Sequence, residues 1–276
     1  MKKLIKYGMV AGGIMCVVNG LDNRLETTYY NVSSEKIPEE FDGFTIAHLS
    51  DLHSESIPNL YSAVKSLHPD IIVCTGDMVD DKGAYDFVVS EIKNLINIAP
   101  VYIISGNHDL WRNDFPEFQK EIENTGAVFL RNTRKKIERN GAEISISGID
   151  DPFSHDTYNI NHNLQYSFNQ LGEPEGFEIL LFHRANLLDK ICDKGFDLIL
   201  AGHLHGGQFR IPKIGGVFSP KSSLAGGEKL FFPKYFGGRY AFKNTDMIVS
   251  RGLGNPMVIP RIFNRPELVS VKLESK

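Results

Sequence analysis

Two histidines stand two residues apart in Gly202-His203-Leu204-His205-Gly206-Gly207-Gln208, directly after the apolar run Leu198-Ile199-Leu200-Ala201. In extended chain such residues point the same way, with Cα atoms about 6.5 Å apart, so the two imidazoles can serve neighbouring metal ions. The flanking glycines remove side-chain bulk and let ions and a substrate approach the backbone. Upstream, Asp51-Leu52-His53, Gly76-Asp77, Gly106-Asn107-His108-Asp109 and the single His183 each follow another apolar run. Together these clusters offer two carboxylates, Asp51 and Asp77, the neutral amide oxygen of Asn107, and the imidazoles of His53, His183, His203 and His205. Such a mixture of hard and borderline donors suits Mn, Fe or Zn better than Ca.

Charge indicates what such a cluster is for. Two divalent ions bring four positive charges, the two aspartates return two, and a bridging hydroxide returns one more, so the site stays cationic. A cationic site attracts a phosphate, and water on a divalent ion ionises near neutral pH to give a nucleophile for in-line attack on phosphorus. His108 is placed to protonate the leaving oxygen, and Asp109 to hold its ring by a hydrogen bond. Each motif alone also reads as ordinary turn or helix-cap chemistry. The joint pattern does not, because five of the nine histidines fall in these clusters.

The elements that must position these residues alternate in type. Strands are expected at Phe44–Leu49, Ile71–Cys74 and Val101–Ile104, each ending in a motif, with helices near Asn59–His68 and Tyr85–Ile98 between them. Repetition of strand, motif and helix implies a parallel sheet with right-handed crossovers, whose ligands collect at the carboxyl ends of the strands. A helix at Pro116–Asn124, strands at Ala127–Leu130 and Glu143–Ile149, and a helix within Asn161–Gln170 follow. Further on, strands at Glu178–Phe182 and Leu198–Ala201 bracket a short helix at Asn186–Cys192. Asp246–Ser250 and Leu268–Leu273 complete the set, and the stretch from Leu21 to Asp42 reads as polar connecting chain.

With 276 residues, 42% of them hydrophobic, the chain can bury a full core, and a net charge of −4 argues against bulk nucleic-acid binding. Three scattered cysteines, Cys16, Cys74 and Cys192, make neither a disulfide framework nor a thiolate zinc cage. Lys2, Lys3 and Lys6 precede an uncharged run from Tyr7 to Val18, which reads as a signal peptide or signal-anchor over residues 1–20, ahead of one domain at 21–276. That arrangement places the domain on the exported face of a membrane rather than in the cytoplasm. Between Phe209 and Tyr240 lie Arg210, Lys213, Lys221, Lys229, Lys234 and Arg239 against Glu228 alone, with phenylalanines and Tyr235 interleaved. This composition suits an anionic lipid surface or a solvated cover over the sheet. Arg112 and Arg184 follow ligand motifs closely and are candidates to touch phosphate, whereas His48, His68, His155 and His162 read as surface or packing residues.

In order and spacing, Asp51-Leu52-His53, Gly76-Asp77, Gly106-Asn107-His108-Asp109, His183 and Gly202-His203-Leu204-His205 resemble the signature of the calcineurin-like metallophosphoesterases. The resemblance implies an α/β fold, a four-layer α/β/β/α sandwich with a dinuclear metal site at the strand C-terminal ends. One ion would take Asp51, His53, Asp77 and His205, the other Asp77, Asn107, His183 and His203, with His108 at the leaving group. Gly206-Gly207-Gln208, Arg251-Gly252-Leu253-Gly254, Pro260-Arg261 and Pro266-Glu267 are similar to the bacterial membrane-associated, YkuE-like branch, although Ala185 and Asn186 stand where that branch often has proline and an acid. The expected activity is hydrolysis of a phosphodiester or lipid-linked pyrophosphate at the membrane, with metal-bridging hydroxide as nucleophile. A soluble nucleotide phosphodiesterase, a phosphomonoesterase and a non-catalytic metal-binding module are the alternatives.

Overall fold

A computed structural model describes residues 20–153, 159–218 and 231–276. The expected signal or anchor segment lies outside the described residues except for Gly20, as do Cys16, His155, Lys221, Glu228 and Lys229.

The strands are β1 (Glu26–Ser34), β2 (Thr45–Leu49), β3 (Ile71–Cys74), β4 (Val101–Ile103), β5 (Val128–Phe129), β6 (Thr133–Arg139), β7 (Ala142–Gly148), β8 (Glu178–Arg184), β9 (Leu198–Gly202), β10 (Arg210–Ile211), β11 (Gly215–Gly216), β12 (Gly238–Phe242), β13 (Thr245–Val249) and β14 (Glu267–Ser275). The helices are α1 (Leu60–Ser66), α2 (Asp86–Ile96), α3 (Asn107–Leu110), α4 (Phe115–Asn124) and α5 (Ile160–Leu171). Two six-stranded sheets form, ordered β1-β14-β2-β3-β4-β5 and β12-β13-β9-β8-β7-β6. Strands β2 to β5 run parallel, as the repeated crossovers require, and so do β7, β8, β9 and β13.

The period-two alternation of each strand divides the core into layers. In β2 and β3, Ile46, Ile71 and Val73 join Ile146, Leu181, Leu200 and Ile248 of the second sheet in the core between the sheets. Their neighbours Ala47, Leu49, Ile72 and Cys74 face the other way and pack beneath α1, α2 and α4 through Val64, Ile92 and Phe118. On the far side, Leu180, Phe182 and Ile199 of the second sheet pack against Leu164 and Leu171 of α5. The result is the expected four-layer α/β/β/α sandwich.

Two strands depart from the sequence reading. The stretch read as connecting chain contains β1, which pairs with β14 over its whole length from Glu26↔Glu267 to Ser34↔Ser275. Its burial pattern is mostly intermediate, as befits an edge strand with little apolar alternation to announce it. Likewise β6, Thr133-Arg134-Lys135-Lys136-Ile137-Glu138-Arg139, is charged because it forms an edge of the second sheet as a hairpin with β7. Edge strands carry charge against unwanted pairing, and this removes the apolar signal.

Candidate metal centre

The parallel strands of both sheets end at one rim, and every clustered motif lies there. Asp51 and His53 follow β2, Asp77 follows β3, and Asn107 and His108 open α3 after β4. His183 lies inside β8, beside an irregular step where Leu181↔Leu200 is succeeded by Arg184↔Gly202. A bulge of this kind re-aims a side chain. His203 and His205 leave β9. Asp51, His53, Asp77, His203 and His205 all hold positive φ, between 46° and 77°. Such backbone is costly for residues with a Cβ and persists only where the surroundings over-determine it. Here Asp51 N donates to Gly76 O and His53 N to Asp77 O, both at 3.0 Å. Glycine is required at 106 and 202, since a Cβ at Gly106 would overlap the Asp77 carboxylate and one at Gly202 would overlap Ser50 Oγ and Asp51 Oδ2.

The side chains form two triads, Asp51–His53–His205 and Asp77–His183–His203, in each of which the ligand atoms lie within 4.8 Å of one another. Asp77 joins them: its Oδ2 is 3.1 Å from His183 Nε2 and 3.9 Å from His53 Nε2. His53 Nε2 and His205 Nε2 are 3.2 Å apart, and His203 Nδ1 is 3.1 Å from His183 Nε2. Hydrogen bonds on the far ring atoms set two tautomers. His183 Nδ1 donates to Thr75 O at 2.8 Å and His53 Nδ1 to Asp80 Oδ1 at 2.8 Å, which leaves the lone pair of each Nε2 aimed into the cluster. Both amide atoms of Asn107 are buried without a hydrogen-bond partner among the described residues. The Nε2 lone pairs of His53 and His183, the Asp51 and Asp77 carboxylates beside them and an orphaned amide are what cations among them would satisfy, so these residues fit divalent metal.

Electrostatics says the same. Burial opposes it, yet the neighbouring Asp77 carboxylate raises His183 to about 9, and His183 in turn holds Asp77 well below the usual carboxylate range. Burial drives Asp51 upward. Burial also pushes His203 and His205 well below their ordinary value, helped by Arg184 beside the first and His53 beside the second. Those two stay neutral, the form that binds a metal, while the positive charge that Asp77 favours on His183 marks where a cation would take the proton's place.

Two assignments require correction. Asp109 does not hold the His108 ring: its Oδ2 accepts from Gly106 N at 2.8 Å and its Oδ1 from Val79 N at 3.1 Å, so it braces the backbone of two ligand loops. The carboxylate facing His108 Nδ1 is Asp81, at 3.9 Å. Nor does Arg112 reach toward a substrate, because its guanidinium is spent on Asp114, Asp80 O and Gly83 O. Arg184 is fully buried, donating to Asp151 Oδ2 at 2.6 Å with Nη1 3.0 Å from His203 Nε2. Of the remaining histidines, His68 and His162 are exposed and His48 is buried between the sheets.

Some supporting roles escaped the sequence reading. Asp80 stands three residues after Asp77, a Gly-Asp-x-x-Asp spacing that could have signalled it. Asn264 Nδ2 donates to His205 O at 2.7 Å, and Arg261 Nη2 lies 3.4 Å from His205 Nδ1. Behind Asp51 runs a buried relay, in which Ser50 Oγ donates to Asp51 Oδ2 at 2.6 Å and Thr75 Oγ1 to Ser50 Oγ at 2.8 Å. The single Thr75 hydroxyl proton is thereby committed, so Thr75 Oγ1 accepts from His48 Nε2 at 2.8 Å. Only the fold brings these residues together.

A two-sheet sandwich with such a cluster at its rim defines a metal-dependent hydrolase of phosphate esters. The sequence model for calcineurin-like phosphoesterases matches residues 44–207, more than half of the chain, and the chain belongs to that family. It is 32% identical to the metallophosphoesterase YkoQ of Bacillus subtilis, over 81% of each chain. With YkuE of the same organism it shares 27% identity over 98% of this chain and 95% of that one. With the phosphodiesterase YaeI of Escherichia coli it shares 26% over 83% and 82%.

Proposed function

We propose that this metal-dependent phosphoesterase hydrolyses a phosphodiester or a lipid-linked pyrophosphate at a membrane surface. In this reading two divalent ions, Mn, Fe or Zn, are held by Asp51, His53, Asp77 and His205 on one side and by Asp77, Asn107, His183 and His203 on the other. The observation that carries it is the Asp77 carboxylate within 4 Å of histidines from both triads, a position suited to a shared ligand. Ions so paired supply Lewis acidity toward phosphoryl oxygens and acidify water.

The chain's own groups do the rest. Asp51 and Asp77 leave a net positive site that draws in the substrate phosphate. Asp80 and Thr75 O hold the His53 and His183 rings in the tautomers that face the ions. His108 delivers a proton to the leaving oxygen. Its side chain is 25% exposed where His53, His183 and His205 are at most 4% exposed, which supports its meeting substrate at the mouth.

A diester is favoured because the relative YaeI is named a phosphodiesterase. The membrane location rests on the basic N-terminal start, the uncharged run from Tyr7 to Val18 and the basic, aromatic stretch after Phe209. No helix among the described residues is long and apolar enough to cross a membrane. The test is a panel of monoesters, diesters and lipid pyrophosphates assayed with Mn, Fe and Zn added separately. Turnover of diesters or lipid pyrophosphates, raised by vesicles, is expected. Turnover confined to soluble monoesters and indifferent to vesicles would sink the membrane substrate.

A further inference from the structure

Beside the metal centre, on the same rim, lies a second concavity of about 520 Å³, within the range of roughly 300–1,000 Å³ typical of small-molecule sites. Its lining carries Arg210, Lys213, Arg251 and Arg265 against one carboxylate, Glu26. Two of those cations are compensated. Arg251 pairs with Glu26 at 2.6 Å and Glu267 at 3.1 Å, and Arg265 with Asp22 at 3.6 Å. Among the described residues no carboxylate comes within ion-pair distance of Arg210 or Lys213. Arg210 instead lies over the Phe236 ring at 5.2 Å. Burial and the neighbouring Arg251 charge both push its guanidinium below the ordinary value, the mark of a cation short of a counter-ion.

Two further features say what kind of anion would fit. The lip is apolar and open to solvent, with Ile211 42% and Ile214 66% exposed at the tip of the β10–β11 hairpin. Moreover, the chain joins the described fold here: Phe263, in the lining, donates its N–H to Gly20 O at 2.7 Å. The uncharged run from Tyr7 to Val18, with three lysines before it, is thus covalently attached at the edge of this concavity. Uncompensated cations, an apolar lip and an attached apolar run form the combination that a lipid surface satisfies all at once.

We propose that this concavity binds the phosphate headgroup of an anionic phospholipid, with Ile211 and Ile214 against the acyl chains, and so seats the rim of the sandwich on the membrane. Arg251 projects into the concavity while the next residue, Gly252, packs against Asp51, so the two sites are separated by a single strand of backbone. Lipid held in one therefore brings the bilayer surface to the mouth of the other. This deepens the membrane-surface reading given above and rests on it.

The test is co-sedimentation of the full chain with vesicles of phosphatidylcholine alone or mixed with phosphatidylglycerol. Lys2, Lys3 and Lys6 contribute their own preference for anionic lipid, so the reading is the preference lost on substitution rather than the total. Arg210→Gln combined with Lys213→Gln is expected to weaken binding to the mixed vesicles by roughly 30-fold, at about 1 kcal/mol for each cation near the surface. Binding to phosphatidylcholine should be unchanged. Because Arg210 is half-buried, the exposed pair Lys213→Glu and Ile214→Asp serves as a second variant, with melting temperature as the check on folding. Retention of the full preference by both variants overturns the proposal. So does displacement of the wild-type chain by inorganic phosphate at concentrations where chloride of equal ionic strength has no effect, since that would assign the concavity to a soluble phosphate. Vesicle binding is read without turnover, so a chain that binds lipid through these residues but hydrolyses no phosphodiester would refute the activity and leave the concavity standing.

Discussion

The two sheets supply the metal centre in opposite ways. From the first sheet come carboxylates as well as an imidazole: Asp51, His53 and Asp77 sit on loops tied by backbone hydrogen bonds, and the imidazole of His53 is backed by a carboxylate, Asp80. From the second come histidines alone. His183 is aimed by a strand irregularity and backed by a backbone carbonyl, whereas His203 and His205 have guanidinium groups, Arg184 and Arg261, at their far ring atoms. An acid behind an imidazole raises its basicity toward a cation, and a buried cation lowers it. The first sheet's side of the rim is therefore built to attract positive charge, and on the second sheet's side burial and the guanidinium groups keep His203 and His205 neutral.

Loss of the residue that joins the two halves should have the largest effect. Asp77→Asn is expected to abolish turnover and to reduce bound metal from two ions per chain to one or fewer, measured by plasma mass spectrometry on the reconstituted protein. Two ions retained would refute the shared-ligand role. Next comes His108→Ala, which should leave metal content intact yet slow hydrolysis by about 10²–10⁴-fold, most on esters with poor leaving groups. Full speed on a poor leaving group would remove His108 from the proton-donor role.

The contrast between the two sides is sharpened by their backing residues. Arg184→Met strands the buried Asp151 carboxylate and should cost about 3–5 kcal/mol in urea denaturation. Arg184→Met with Asp151→Leu should recover most of that loss, and equal instability of single and double variants would deny the pairing. On the other side, Asp80→Asn should weaken metal affinity or activity by about 10–100-fold while leaving the fold stable. A change below twofold would make the carboxylate behind His53 incidental.

Taken per pH unit, the smallest effect concerns acid stability. Burial pushes His48 down to about 3 from an ordinary value of 6.5, so the folded protein keeps it neutral where the unfolded chain takes up a proton. The stability this confers is fully present above pH 6.5 and is lost as pH falls from 6.5 toward 3, at up to about 1.4 kcal/mol per pH unit. His48→Gln, which keeps a donor toward Thr75, should remove one proton's worth of that slope. An unchanged slope between pH 6 and 4 would show that His48 is charged in the fold.

Legibility in the sequence tracked the strength of the local signal. The strands ahead of each motif were readable because both their faces are buried, which gives runs such as Ile71-Ile72-Val73-Cys74. The edges β1 and β6 were not, because an edge strand has no continuous apolar run, and the partner of β1 lies far along the chain. Donor atoms could be named from residue type and spacing, but the bracing role of Asp109 and the committed Arg112 could not. Hydrogen-bond partners depend on where the backbone of other loops happens to pass.

By itself the sequence determined the donor chemistry, the order of strand and motif, and the family, since these depend on residue identity and on periodicities of a few residues. Tertiary structure alone decided that Asp77 stands between two triads, that Asp80 and Arg184 back opposite sides, and that four basic side chains share one concavity at the point where the chain joins the fold. Those facts belong to contacts between segments often more than a hundred residues apart. No local pattern encodes such distances; the packing of two twisted sheets across a common core sets them.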